Sequence, residues 1–328
     1  MSGKTKNKIL SALMEMGEMN TKASLSIAAY SVCSASMLVV NKVAVYYLPS
    51  PGLVTLVQLI FCSVFLTFLK YSGTAKVDDL SWEKTKPYIV YVAGFTGAVY
   101  CNMRALSNLN VETVIVFRAC TPLVVCFLDT LFLGRMFPSN RSLAALAVIV
   151  AGAVGYVQTD AAFARAGILA YGWCFAYVSL ICFEMILGKW LVKDIGLTLS
   201  GSVWYTNVLS VGPMMGLALI KDEYSNLYTL DITGPALLVL LLSCIVGTGI
   251  SYAGWWCRSQ LSATSYTLVG VMNKVLSILL NIAIWDKHAT LTGIFFLTFC
   301  LAGGAAYKQS PLKNSRIHAN ELSKMSSA

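Results

Sequence analysis

Residues 95–123, FTGAVYCNMRALSNLNVETVIVFRACTPL, return 152 positions later as residues 247–275, GTGISYAGWWCRSQLSATSYTLVGVMNKV. Thr96-Gly97 meets Thr248-Gly249, Tyr100 meets Tyr252, and Leu109 meets Leu261. A second pair repeats the relation at an offset of 151, with AGAVGYVQ at 151–158 matching AGGAAYKQ at 302–309. Two separate segments at nearly one offset mark an internal duplication. The hydropathy around them shows what is duplicated: residues 262–285 are almost unbroken hydrocarbon, a length at which a helix crosses a bilayer.

The rest of the chain reads the same way. Of its 328 residues 57% are hydrophobic and 12% charged, with a mean hydropathy of +0.70, more apolar surface than a soluble domain can use. The apolar runs are too long and continuous for barrel strands. The expected fold class is an all-α membrane protein with ten transmembrane helices at 24–47, 51–70, 87–107, 111–133, 139–158, 167–191, 197–220, 234–257, 262–285 and 290–308. With five spans per half, the second copy enters the membrane in the opposite sense. This is a 5+5 inverted repeat: tail 1–22, first unit 23–158, second unit 159–308 and tail 309–328. Such repeats belong to transporters, whose site lies at the pseudo-two-fold axis near the midplane.

Charge agrees with this reading. An even count of spans places both termini on one side, and if that side is the cytosol it gathers sixteen basic residues, Arg258 among them. The opposite side keeps only Arg165, Lys221 and Lys287, as the positive-inside rule requires. The net charge of +9 therefore needs no nucleic acid. Lys4, Lys6 and Lys8 are followed by Glu15 and Glu18 rather than by a cleavable signal, so the first span is expected to be an uncleaved anchor. All ten cysteines fall within or beside apolar segments, as packing residues rather than bridges or metal ligands.

Polar residues inside the spans are the candidate site. Lys274 is 11–12 residues from either end of its span, roughly 17 Å, farther than its stem can snorkel. An ammonium there needs water, a counter-charge or an anionic ligand. Arg118 lies a third of the way along its helix and faces either a partner such as Asp129 or a cavity. Lys42 and Lys189 are repeat counterparts near helix ends, read as snorkelling, and Glu184 is expected to pair with one of them. Arg104 and Asp129 lie near enough to the interfaces for water to solvate them. The run WYTN, Trp204 to Asn207, offers either an amide that suits the edge of a base with rings that suit its face, or an asparagine that hydrogen-bonds between helices.

These residues also carry a resemblance. The run ISYAGWWC…SATSYTLVGVMNK resembles the nucleotide-sugar transporters of the drug/metabolite transporter superfamily, and most closely their GDP-mannose branch. The GALNK motif of that branch reads Gly270-Val271-Met272-Asn273-Lys274 here, and its FYNN motif reads Trp204-Tyr205-Thr206-Asn207. Tyr30, Asn41-Lys42, VETVIVFR at 111–118 and WDKH at 285–288 extend the likeness over all ten spans. The resemblance implies that Asn207 and Ser251 contact the base and that Tyr30 and Tyr266 line the cavity. It further implies that Gly270 and Asn273 approach the sugar and ribose, and that Lys274 meets the diphosphate.

Two departures matter: Thr206 replaces an amide that would face guanine, and Val271 and Met272 replace alanine and leucine beside the sugar. The implied function is a Golgi antiporter with both termini cytosolic. It takes a GDP-sugar (mannose, with fucose or galactose open) into the lumen in exchange for GMP. The implied partners are the nucleotide sugar, the nucleoside monophosphate and the bilayer. The oligomeric state stays open, a homodimer included, and no cofactor is called for.

Thr206 keeps a UDP-sugar/UMP antiporter as the alternative. A plastid phosphate or phosphoenolpyruvate translocator would bring a Lys and an Arg together on the ninth helix, where Lys274 stands alone, and a transit peptide in front. A membrane glycosyltransferase would need carboxylates at the lumenal or cytosolic face of a cavity, whereas Asp129 and Glu184 are scattered and no metal-binding DxD run occurs.

Overall fold

The computed structural model describes residues 3–160, 163, 165, 167–225, 233–263, 265–270, 273 and 290–307. These residues form ten α-helices and one short 3₁₀ turn. The helices are α1 (Gly3–Tyr47), α2 (Pro51–Tyr71), α3 (Trp82–Asn108), α4 (Val111–Ala119), α5 (Thr121–Phe132), α6 (Asn140–Thr159), α7 (Gly172–Asp194), α8 (Leu199–Ile220), α9 (Gly234–Gln260) and α10 (Leu291–Ala306). Among the described residues seven segments are long and apolar enough to cross a membrane, including Thr21–Tyr47 of α1 and Val111–Phe132, which joins α4 and α5. The charged α3 is not one of the seven, and α10 is a shorter apolar helix. Most of the ninth expected span, Lys274 included, lies outside the described residues.

Several boundaries differ from the expectation: α3 begins at Trp82 and not 87, α7 at Gly172 and not 167, and two further differences have a clear cause. With no proline before Pro49 to stop it, α1 begins at Gly3, well upstream of residue 24. The fourth span is broken at Cys120, because Pro122 supplies no N–H to the ladder and α5 restarts with that proline in its first turn. All ten cysteines are free thiols.

Packing recurs in pairs that obey the sequence offset. The most extensive helix contacts are α6 with α10, α1 with α9, α3 with α7, and α2 with α8. At the α6–α10 crossing a Cβ on Gly152 would stand 2.7 Å from the backbone nitrogen of Cys300, and one on Gly303 would stand 2.9 Å from that of Ile149. Each pair is the other's image at 151 residues, and only glycine permits so close an approach. The same relation holds at helix ends. Lys42 Nζ donates to the carbonyl of Leu106 at 2.7 Å, and Lys189 Nζ donates to that of Arg258 at 3.1 Å. Leu106 and Arg258 are 152 residues apart. The two lysines therefore do not snorkel; each satisfies carbonyls that the end of a helix leaves open.

Both ends of the α2–α8 pair are fastened by an acid. Asp78 accepts from the amide and hydroxyl of Thr198, the N-cap of α8, at 2.8 and 2.7 Å. At the other end Glu223 accepts from the amides of Gly52 and Leu53 in the first turn of α2 at 2.6 and 3.2 Å, and from Tyr100 Oη at 3.2 Å. Asp222, with φ 51, turns the chain so that Glu223 points back. In both places a carboxylate meets the unpaired N–H groups and positive end of a helix dipole.

Candidate functional site

A cavity of about 220 Å³ lies between α1, α2, α3, α4, α7, α8 and α9. The 3.6-residue period of α7 turns Tyr177, Ile181, Glu184 and Met185 into it. Arg118 enters from the last turn of α4, just before the Cys120 break, so the discontinuity brings a cation to the middle of a membrane span. Its Nη1 donates to Tyr177 Oη. A Cβ on Gly270 would sit 3.1 Å from Arg118 Nη2 and 3.4 Å from Tyr30 Oη. Arg118 and Gly270 are 152 residues apart, the offset of the sequence repeat. Of the two readings of Arg118 the structure gives the cavity, because Asp129 is paired elsewhere. It is 1% exposed, bridged to Arg135 at 3.2 Å, and not solvated at an interface as expected. Tyr30 and Tyr266, both lining the cavity, stack with ring centroids 4.9 Å apart.

A second cation closes the cavity toward the Asp78 end. Arg258, expected among the solvated cytosolic charges, is 3% exposed. Its Nη2 donates to Glu184 Oε1 at 2.7 Å and its Nη1 to Tyr91 Oη at 3.0 Å. The guanidinium lies over the rings of Tyr266, Trp255 and Tyr91 at 4.9, 5.0 and 5.6 Å. Glu184 therefore pairs with Arg258 and not with Lys189 or Lys42. Gly188, one turn below Glu184, vacates the space, since any Cβ there would overlap Arg258 Nη1. This closure is one-sided: the repeat counterparts of Arg258 and Glu184 are Leu106 and Met37, which cannot form an ion pair.

Among the described residues, the charged groups lining the cavity are Arg118, Arg258 and Glu184, a net positive charge. A cation left unpaired at such depth costs several kcal/mol, so the site favours an anionic ligand.

The remaining candidates divide. Tyr30, Thr206, Asn207, Ser251 and Tyr266 line the cavity with Arg118, whereas Gly270 borders it through Arg118 and Tyr30. Asn207 Nδ2 donates to the carbonyl of Val203 at 2.8 Å, which fixes the amide's orientation and leaves Oδ1 as the free acceptor. Thr206 Oγ1 donates to the carbonyl of Ser202 at 2.8 Å. Tyr205 is not brought to the cavity. Its hydroxyl donates to the carbonyl of Asp79 at 2.6 Å and accepts from the amide of Ser81 at 3.0 Å, tying α8 to the 72–81 loop. Asn273 is buried and accepts from Ser31 Oγ at 2.5 Å, while its Nδ2 has no hydrogen-bond partner among the described residues. Lys274 lies outside the described residues. The pair Arg258–Glu184 was not among the sequence candidates, although Glu184 and Gly188 at i, i+4 give its socket.

The chain is similar to known proteins throughout. The EamA-like transporter family matches residues 21–158. A GDP-fucose transporter of Arabidopsis thaliana is 38% identical over 288 residues, covering 86% of this chain and 84% of that protein. The GDP-mannose transporter GONST3 of the same plant is 34% identical, with coverages of 87% and 78%. A GDP-mannose transporter of Eremothecium gossypii is 24% identical over 90% of this chain and 94% of its own length. One crystal structure, 14% identical in sequence, shares the fold with a TM-score of 0.59 over 88% of this chain and 96% of that one.

Proposed function

Because the chain belongs to the nucleotide-sugar transporter family of the drug/metabolite transporter superfamily, we propose that it exchanges a GDP-sugar for GMP across the Golgi membrane by alternating access. It is a transporter and not an enzyme. The relatives' names support a GDP-sugar, with fucose and mannose the first candidates. The observation that carries the reading is the cavity itself: two guanidiniums, Arg118 and Arg258, and one carboxylate, Glu184, line a space walled by stacked tyrosines.

The chemistry fits that cargo. A nucleoside diphosphate sugar brings about two negative charges, worth far more to a guanidinium in a low-dielectric cavity than in water. Asn207 Oδ1, the free acceptor, suits the N–H edge that guanine presents, and the Tyr30–Tyr266 pair suits a base or ribose face. Lys274, carried by the GVMNK run, adds a third cation to the phosphate end in this proposal. At about 220 Å³ the cavity is below the roughly 300 Å³ where ligand pockets begin, so loading requires the two halves to part.

The paired helix contacts and the offset-related Gly152 and Gly303 crossings support two five-helix units, 23–158 and 159–308, moving about a shared axis. Exchange follows from charge: an empty cavity that is net positive crosses between states slowly, and an anion-filled one crosses readily. Cytosolic termini and uptake into the lumen follow from the distribution of basic residues.

Counterflow in proteoliposomes tests the proposal. Uptake of labelled GDP-fucose or GDP-mannose should rise with GMP inside and should be competed by GMP better than by UMP. Uptake indifferent to internal GMP would defeat exchange, and stronger competition by UMP would defeat guanine.

A further inference from the structure

Arg258 is built into its place more elaborately than a structural cation needs. Tyr91 comes from α3, Glu184 and Gly188 from α7, Trp255 from α9, and Tyr266 from the segment that follows, so one guanidinium draws four elements together at one end of the cavity. Its Nε–H is buried and has no acceptor among the described residues. A guanidinium grips a phosphate through two parallel N–H groups, and here one such group is unused while Glu184 holds another. Glu184 keeps a second donor of its own, Tyr91 Oη at 3.0 Å, and so retains a partner if Arg258 leaves.

We propose that Arg258 is a second anion-binding residue, masked by Glu184 in this conformation, which exchanges the carboxylate for a phosphate oxygen of the ligand when α3, α7 and α9 part. The proposal rests on the nucleotide-exchange reading and gives it a physical link. The seal at this end and the ligand on this end compete for one cation. Opening without an anion strips Arg258 of its charge partner, and opening onto a phosphate replaces that partner. The ligand thus binds the open state better than the closed one, which is what a shift of the equilibrium requires. Arg118 lies about 10 Å away, judged from the seven residues that separate Tyr177 from Glu184 along α7. Two cations at that spacing can hold the nucleotide's phosphates at two depths of one passage.

The test uses the full-length purified protein, with thermal stabilisation by GMP and by guanosine as the measure of binding. Arg258→Met/Glu184→Leu removes both charges at similar volume, so it should keep or raise stability without ligand. In that variant the apparent Kd for GMP should rise about tenfold or more, while that for guanosine, which has no phosphate, stays the same. Glu184→Gln, which unmasks Arg258, should instead lower the Kd for GMP. The proposal is overturned if the double variant binds GMP as the wild type does, or if Glu184→Gln weakens GMP and guanosine alike, as a purely structural pair would. Should the wild type itself show no response to GMP, the exchange reading fails and this proposal with it. A wild type that responds beside an indifferent double variant sinks only the role of Arg258.

Discussion

Gly188→Ala is the sharpest test of the closed end, because it touches the seal without removing a charge. The added methyl would stand on Arg258 Nη1 and only 2.6 Å from Cζ and 3.2 Å from Cδ. Restoring an ordinary contact of about 3.4 Å moves Nη1 by roughly 2 Å, which takes the 2.7 Å bond to Glu184 out of hydrogen-bond range. Breaking a buried ion pair costs about 3–5 kcal/mol, and the gain in helix propensity from glycine to alanine returns up to about 1. The balance, about 2–4 kcal/mol, falls on the closed state alone and changes the closed-to-open ratio by a factor of roughly 30 to 1,000. Spin labels at Lys86→Cys on α3 and Ser259→Cys on α9, both exposed at the Asp78 end, report the change as a distance. The distribution should shift to longer separations in Gly188→Ala without ligand. An unchanged distribution, with the protein folded, would refute the reasoning.

Three further outcomes are expected. Gly152→Ala meets the Cys300 backbone at 2.7 Å and should lose about 1–3 kcal/mol in detergent thermal unfolding, whereas Gly216→Ala, with nothing within 4 Å, should hold or gain up to about 1. Burial by itself would raise the pKa of Asp78, but hydrogen bonds from Thr198 and Lys84 outweigh it and hold the carboxyl below its ordinary value. A depressed carboxylate contributes stability above its unfolded pKa and loses it as pH falls through the folded one. Asp78→Asn should therefore lower the melting temperature at pH 7, with the difference from wild type beginning to shrink only as the pH falls below about 4, toward the depressed folded-state value. Lys274→Ala should diminish stabilisation by GMP while leaving the unliganded protein as stable as before or more so, read in the same thermal assay.

Much of the architecture was legible in the chain, because bilayer thickness and helix period leave a direct imprint on hydropathy. Expected spans such as 51–70 and 197–220 fall within two residues of the helices observed, and the offset of 152 residues reappears in Leu106 and Arg258, whose carbonyls accept from Lys42 and Lys189. What was not legible depends on who meets whom. Arg258 stands one residue beyond its expected span, where a basic residue is ordinarily a loop charge, and nothing local says that Glu184, 74 positions earlier, waits for it. Tyr205 adjoins Thr206 and Asn207 in sequence, yet each helical step turns the side chain by about 100°, so the two neighbours face the cavity and the tyrosine reaches the loop. The break at Cys120 did have a signal, Pro122, which continuous hydropathy concealed.

A duplicated fold need not be an even-handed one. In the proposed alternating-access cycle one end carries the Arg258–Glu184 ion pair, while at the equivalent stations of the other stand the uncharged Leu106 and Met37. Parting an ion pair and parting hydrocarbon respond differently to salt and to temperature. A carrier lopsided in this way should show unequal half-saturation on its two faces, and their ratio should drift with ionic strength. Where the cargo finally settles is unaffected, since gradients alone fix that.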